Sequence, residues 1–274
     1  HTLNHSLFKS LLFYSAGNVY QHAHTVNIES LGGLIKRMPH TAILFLIGSL
    51  AICGLPPFNG FVSEFLIYLG MFKSLNSIDF SFTALMLFAI LGLVLIGGLA
   101  MICFTKAFSI VFLGTPRKIS IEDIEEDNKA TVYPLYTIVG LILAIGILPN
   151  LFIRVISLPV GQFSIGSNSA SIEAFNSLVK TSSLIGICAA VFIAFVAIMY
   201  FLRRFFTRNK PAVISTTWGC GFTGSAVKMQ YTASSYIRTY RKLIEPFLRI
   251  RKFKTEAHGI FPNPIHHETH PYDK

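Results

Sequence analysis

Four side chains early in the sequence could exchange protons. His1, His5 and Lys9 follow one another at intervals of four residues, and Glu64 comes later. In a helix of 3.6 residues per turn such steps drift by only about 40°, so the three basic groups share one face. Ionisable groups at membrane depth mark ion or proton paths. These residue types and spacings predict a hydrated proton relay.

Glu64 ends a stretch, residues 38–63, that contains no Lys, Arg, Asp or Glu. Within it, residues 54–60 read Gly-Leu-Pro-Pro-Phe-Asn-Gly. Pro56 and Pro57 remove two backbone donors and stop a helix, so we predict a half-helix, a break and a second half-helix. Backbone groups freed at membrane depth need protein or water as partners, and broken membrane helices recur at ion sites.

The lysines also allow a simpler explanation. A lone Lys in an apolar helix often extends to the membrane interface, and this alternative stays open for Lys106, which follows the predicted span 82–104. For Lys9, the stack with His1 and His5 favours the relay. A buried structural pair between Lys9 and Glu64 is the non-conducting alternative.

The composition indicates a polytopic membrane protein. Of the 274 residues, 52% are hydrophobic and 13% are charged, whereas soluble domains are about a quarter charged. We predict an all-α fold, a polytopic membrane helical bundle with a proline-broken helix and a short cytoplasmic tail. The membrane domain covers residues 1–202, with spans at about 3–20, 39–73 (broken), 82–104, 132–153 and 181–202, and with a loop at 157–180. Because the first residue already lies in an apolar pattern, we expect the C-terminal part of a longer protein.

Charge predicts the orientation. The net charge of +10 comes largely from the basic tail, residues 203–274. By the positive-inside bias this tail is cytoplasmic, in a multi-pass protein of the cell inner (plasma) membrane. Lys36 and Arg37 fall on the same side only if residues 39–73 cross once, which gives five crossings. Apolar and basic residues from 236 to 252 have helical spacing, typical of a segment on lipid or on a partner subunit.

Other motifs lack the context that their chemistry needs. Residues 219–224 match a dinucleotide fingerprint, but the tail is too short for a nucleotide-binding domain. The cysteines have no metal or disulfide spacing, and the last histidines have no regular ligand spacing: His258, His266, His267 and His270. The acidic run at 122–127 is typical of a solvated surface. The sequence predicts no metal, no cofactor, no catalytic residue and no nucleic-acid partner.

An ordered set of stretches resembles a known family. Residues 1–17 are similar to the His-rich helix of the antiporter-like subunits of respiratory complex I, and residues 32–39 to the connector that follows it. Residues 54–64 resemble the second broken helix of that family, and Lys106 with residues 112–114 resembles the end of the next helix. In the tail, residues 217–222 and 229–233 resemble the large membrane subunits of formate hydrogenlyase and hydrogenase-4.

The resemblance implies inverted five-helix repeats that conduct protons, in the non-redox, ion-translocating subunit of a membrane-bound oxidoreductase complex. It implies that His5 and Lys9 lie on a polar axis at mid-membrane with His1 beside them. Glu64 would be the terminal exchange site, where many relatives carry Lys, and a basic residue is usual at Lys106. The implied partners are other membrane subunits, the lipid bilayer, and a peripheral hydrogenase or dehydrogenase arm.

Two other functions stay open. An Mrp-type Na⁺/H⁺ antiporter subunit would share these helices and differ in sodium dependence, although the tail motif argues against it. A membrane scaffold would anchor a peripheral arm without conducting, but it gives no reason for a polar axis beside a proline-broken helix.

Overall fold

The computed structural model describes residues 1–75, 79–117, 120, 122, 124–126, 129–162, 169–210, 224, 226–238, 240, 242, 246, 250–254 and 267–271. Its longer helices are α1 Thr2–Ala23, α2 Pro39–Ile52, α3 Asn59–Ser74, α4 Phe80–Phe112, α5 Lys129–Ile147, α6 Pro149–Gly161 and α7 Ser169–Thr207. The tail adds the single-turn helices α8 Ala226–Met229 and α9 Ala233–Tyr236, and the antiparallel strands β1 Ile250–Lys254 and β2 His267–Pro271. The predicted all-α membrane bundle is confirmed.

Three of the described helices are long and apolar enough to cross a membrane: Phe80–Phe112, Lys129–Ile147 and Phe175–Thr207. The first helix has the length, at 22 residues, but carries His and Lys side chains, and α2 has only 14 residues. About 20 residues are needed to span the hydrocarbon core, so neither half of a broken crossing is long enough to span it alone. The count of five crossings therefore stays a prediction.

The prolines separate α2 from α3. Pro39 opens α2 at a position where the missing N–H is not needed. After α2, Gly54 adopts a φ of +64°, a left-handed conformation that favours glycine. The peptide bond between Pro56 and Pro57 is cis, and α3 begins at Asn59. The predicted half-helix, break and second half-helix are confirmed.

The two half-helices run in series along α4. Val111 and Phe112, at the end of α4, share a core cluster with Met38 and Ala42 at the start of α2. At the other end, α4 contacts α3, and only residues 75–79 separate these two helices. Together α2 and α3 therefore follow the length of α4, which agrees with a single broken crossing rather than a hairpin.

The first helix packs on the broken helix and contacts α2 more extensively than any other element. Phe8 of α1 is buried with Leu44 of α2 and Ile142 of α5. At Gly48 a Cβ atom would lie 2.9 Å from Cγ of Leu12, so the close approach of α1 and α2 depends on this glycine. This packing holds α1 against α2, the half-helix that precedes the break.

Two predicted boundaries after α4 are corrected by the structure. The predicted span 132–153 is divided at Leu148, because Pro149 begins a new helix. The predicted loop at 157–180 is largely helical, since α6 extends to Gly161 and α7 begins at Ser169. Its Ser, Gly and Asn content indicated a loop, but apolar residues at 172, 175, 178 and 179 continue the helical spacing of α7.

The segment predicted from its helical spacing is helical beyond α9 at the described residues 238, 240 and 242. The helix α9 itself ends at Tyr236, and further on β1 pairs with β2 so that Lys252 stands opposite Thr269. Pro246, between these elements, cannot continue a helix. Several residues with a predicted role lie outside the described residues: residues 217–223, which include Cys220, the apolar positions 243, 244, 247 and 248, and the histidines at 258 and 266.

Candidate proton-relay site at the broken helix

A buried pair of asparagines joins the start of α1 to the start of α3. Asn4 donates through Nδ2 to the carbonyl oxygen of Asn59 at 2.9 Å. Asn59 donates through Nδ2 to Asn4, at 3.3 Å from its carbonyl oxygen and 3.2 Å from its Oδ1. Asn4 is 8% exposed and Asn59 is fully buried. Because buried amides need partners, this pair fixes the histidine-bearing end of α1 beside the break.

His1 contacts the residue that precedes Glu64. Its Nδ1 lies 3.0 Å from Oγ of the buried Ser63, and that hydroxyl donates to the carbonyl oxygen of Gly60 at 3.1 Å. Which of Nδ1 and Oγ donates to the other depends on the tautomer of the His1 ring, and the Ser63 hydroxyl contacts both His1 and the carbonyl oxygen of Gly60. The two helices that carry the predicted relay therefore meet through a direct hydrogen bond.

The basic groups of α1 share a face, as their spacing predicts. The ring centroids of His1 and His5 are 5.9 Å apart. One step further, Nζ of the half-buried Lys9 lies 5.7 Å from the ring centroid of Phe13, within cation–π range. Among the described residues no carboxylate lies within ion-pair distance of Lys9. The structural Lys9–Glu64 pair of the scaffold hypothesis is therefore not formed.

The carboxylate of Glu64 lies against the backbone of the break. A Cβ atom on Gly54 would lie 2.8 Å from Cδ of Glu64 and would collide with its Oε2. Cys53 and Tyr68 are near enough to interact electrostatically with this carboxylate. Within the described part of the chain, Glu64 has no ion pair with a cation. A half-buried carboxylate that no described cation neutralises remains available for proton exchange.

The break is packed tightly against α2 and α5. A Cβ atom on Gly60 would collide with the carbonyl oxygen of Ala51, and one on Gly146 with the carbonyl oxygen of Pro57. Towards α7 there is a cavity of about 390 Å³ with an almost entirely apolar lining. Ordered water needs polar partners. A hydrated path is therefore expected where α3 faces α1, and not through this cavity.

Lys106 is not brought to the other predicted relay residues. It lies inside α4, which extends to Phe112, beyond the predicted end at residue 104. Counted from the connection between α3 and α4, Lys106 and Glu64 differ in depth by roughly 24 Å at 1.5 Å per residue. Lys106 is half-buried, and its carbonyl oxygen accepts from Ser109 at 3.3 Å. Its role, as path residue or interface anchor, stays a prediction.

A second polar cluster, missed from the sequence, caps the start of α2. Glu126 accepts from the backbone N–H of His40 at 2.9 Å and of Thr41 at 2.7 Å. These N–H groups have no acceptor within their own helix. Nδ1 of His40 also lies 2.8 Å from the hydroxyl oxygen of Tyr136 in α5. For Glu126, the prediction that residues 122–127 are only a solvated surface is wrong.

An ion pair on the same side was also missed. Glu29, in the connector between α1 and α2 (residues 24–38), lies with Oε2 3.5 Å from Nη1 of Arg117 in the α4–α5 loop. Residues 88 positions apart leave no local sequence signal. The isolated Glu in the connector is the only feature of the sequence that indicates this ion pair.

Fold and site together define a helical membrane protein whose proline-broken helix carries an ionisable residue beside a face of protonatable side chains. Residues 1–91 match the family described as NADH:quinone oxidoreductase/Mrp antiporter, TM. The matched range contains α1, the connector, the broken helix and the first part of α4. The resemblance to the antiporter-like membrane subunits that was stated from these residues is confirmed for this part of the chain.

Curated relatives belong to named complexes. The chain is 42% identical over 142 residues to formate hydrogenlyase subunit 3 of Escherichia coli (strain K12), covering 52% of this chain and 22% of that protein. It is 39% identical over 150 residues to hydrogenase-4 component B of the same strain, covering 54% and 22%. NADH-quinone oxidoreductase subunit M of Rickettsia prowazekii (strain Madrid E) is 33% identical over 158 residues, covering 58% and 30%. The chain thus spans about a fifth of the length of the first two relatives.

Proposed function

We propose that this chain is part of a proton-translocating membrane subunit of a redox-driven complex of the hydrogenase-4, formate hydrogenlyase or NADH:quinone oxidoreductase type. The observation that carries the proposal is the hydrogen bond between His1 and Ser63 at 3.0 Å. It joins the basic face of α1 to the residue next to Glu64. A scaffold needs no such contact between a row of protonatable groups and a broken helix.

The proposed path runs from Lys9 through His5 and His1 to Ser63 and Glu64. The rings of His1 and His5 are 5.9 Å apart between centroids, too far for a direct hydrogen bond, so water completes the steps between them. A further place for water is Oδ1 of Asn59, which is buried and has no partner among the described residues. A buried acceptor without a donor is costly, and a water there would remove that cost.

Charge drives the proposed transfer. No redox centre is needed in this chain, because a change of charge in a neighbouring subunit shifts the proton affinity of Lys9 and Glu64 through space. The absence of a Lys9–Glu64 ion pair among the described residues supports this mechanism, since each group then responds to its own surroundings. Other membrane subunits and a peripheral hydrogenase or dehydrogenase arm are the proposed partners, in a cell inner membrane with the tail cytoplasmic.

The test is proton pumping by the intact complex in inverted vesicles. Lys9→Met and Glu64→Gln should each abolish pumping while the complex assembles and its redox turnover continues. Lys73→Met is the matched control, because Lys73 is exposed at the end of α3 and has no part in the path. Unchanged pumping in both relay variants, with assembly intact, would overturn the proposal in favour of a scaffold.

An Mrp-type Na⁺/H⁺ antiporter subunit is the second candidate, because the matched family includes those proteins. The two candidates differ in their dependence on sodium. Pumping that proceeds equally in sodium-free buffer supports the redox-driven subunit, whereas pumping that stops without Na⁺ supports the antiporter.

A further inference from the structure

Part of the tail is seated on the chain's own polar surface. Gln230 is bound to Thr115 in the α4–α5 loop: its Oε1 accepts from the backbone N–H at 2.9 Å, and its Nε2 donates to the carbonyl oxygen at 2.8 Å. Both bonds have good length for N–H donors. One amide side chain therefore satisfies both backbone groups of a single loop residue, which fixes the tail at this point.

The loop is shaped to receive this glutamine. Gly114 precedes Thr115 and has a φ of +75°, and a Cβ atom there would collide with Oε1 of Gln230. Any side chain at this position would be strained in its backbone and would also displace the amide. The space left by the missing side chain at Gly114, here called the notch, therefore fits Gln230 in shape as well as in hydrogen bonding.

A charged pair holds the tail a few residues further along. Oε1 of Glu29 accepts from the backbone N–H of Ser234 at 2.7 Å and from its hydroxyl at 2.6 Å. Arg117, the ion-pair partner of Glu29, donates through Nη2 to the carbonyl oxygen of Tyr231, and its side chain is only 11% exposed. Each member of the pair therefore binds both the other and the tail. Ala233 between these contacts is 4% exposed.

The surface that receives the tail continues into the broken helix. The backbone N–H of Gly33 in the connector donates to the carbonyl oxygen of Leu113 at 2.9 Å, next to the notch at Gly114. From the connector, Met38 packs with Phe112 in a shared core cluster, and α2 begins at the following residue. The tail is therefore connected to α2 through a short series of hydrogen-bonded and packed residues.

We propose that residues 230–235 form a latch whose binding to Glu29, Gly114, Thr115 and Arg117 positions α2 and thereby keeps Glu64 in its place for proton transfer. The binding of the latch stands on the contacts above, and its effect on transfer rests on the proposed function. Release of the latch loosens the connector, and α2 with Gly54 at its end then moves relative to the carboxylate of Glu64. The latch is a positioning device and takes no part in moving protons.

The first measurement is exposure of the tail to trypsin in vesicles that contain the full complex. Arg238 and Lys242 lie just beyond the latch and are exposed. Gln230→Ala and Glu29→Ala should each speed the loss of the tail about tenfold, because each variant removes two or more hydrogen bonds. Met229→Ala is the control, since that side chain is 47% exposed and adjoins the latch. Equal cleavage in all four proteins would overturn the latch.

The second measurement is the number of protons moved per redox turnover in the same vesicles. Gln230→Ala and Glu29→Ala should lower it at least twofold with turnover retained, and Met229→Ala should leave it unchanged. A freed tail with normal proton numbers would overturn the effect on transfer. If either variant fails to assemble, both measurements are made on Ser234→Ala, which removes only the hydrogen bond from the Ser234 hydroxyl to Glu29. Loss of the proposed function would appear separately, as normal pumping by Lys9→Met.

Discussion

Asn4 and Asn59 exchange hydrogen bonds between α1 and the start of α3, with each side chain donating to the other residue's carbonyl oxygen. The exchange places a neutral, buried pair between the start of α1 and the start of α3. Amide groups can hold two helices in register at this point without adding a charge that would compete with Glu64. We therefore regard the pair as the structural support of the relay.

Asn59→Ala should destabilise the protein by about 1–3 kcal/mol, because it removes the Nδ2 group that donates to the carbonyl oxygen and Oδ1 of Asn4 and leaves that buried Oδ1 without its donor. Thermal unfolding of the purified complex measures this loss. Asn4→Ala with Asn59→Ala should cost clearly less than the sum of the single variants, since the pair acts as one unit. Strict additivity would show that the two side chains act independently.

Gly54→Ala should impair pumping and stability together. The new Cβ would meet the carboxylate of Glu64, and the φ of +64° disfavours any residue with a side chain; such strain costs on the order of 1–3 kcal/mol. Gly97→Ala in α4 is the matched control, because nothing lies within 4 Å of its Cβ position. We expect normal pumping and unchanged or higher stability there. Normal pumping by Gly54→Ala would show that the carboxylate can move without consequence.

Local signals allowed the core of the site to be predicted. Pro56 and Pro57 stop a helix wherever they occur, and the spacing of His1, His5 and Lys9 fixes a common face once that segment is helical. Neither inference requires knowledge of the fold. The length of α7 was missed because Ser and Asn are poor helix formers, although tertiary context overrides such weak preferences.

Contacts between distant residues could not be predicted in the same way. Glu126 lies 85 residues from Thr41, and Glu29 lies 205 residues from Ser234. An acidic run and an isolated acid are normally solvated. Only the packing of α2 against the α4–α5 loop makes Glu126 a partner of α2 and Glu29 a partner of the tail. For the same reason, the depth of Lys106 could be assigned only once α4 was known to end at Phe112.

Glu126→Ala should destabilise the start of α2 by about 1 kcal/mol, the usual effect of losing a side chain that caps a helix. Faster hydrogen exchange at the amides of His40 and Thr41 measures this directly, because both donate to Glu126. Glu122→Ala removes an acid of the same run that is exposed, and should leave exchange unchanged. Similar exchange in the two variants would mean that water replaces the carboxylate without loss.

Ser63→Ala should slow proton transfer with assembly intact, because it removes the hydroxyl that joins His1 to α3 next to Glu64. Ser74→Ala is a close control: Ser74 also donates to a carbonyl oxygen of its own helix, at 2.9 Å to Gly70, but is far from the break. We expect at least a tenfold lower pumping rate for the first variant, if the path loses one hydrogen-bonded step of about 1.4 kcal/mol, and no change for the second. Equal rates in both would show that protons reach Glu64 through water alone, and the contact between His1 and Ser63 would then be structural.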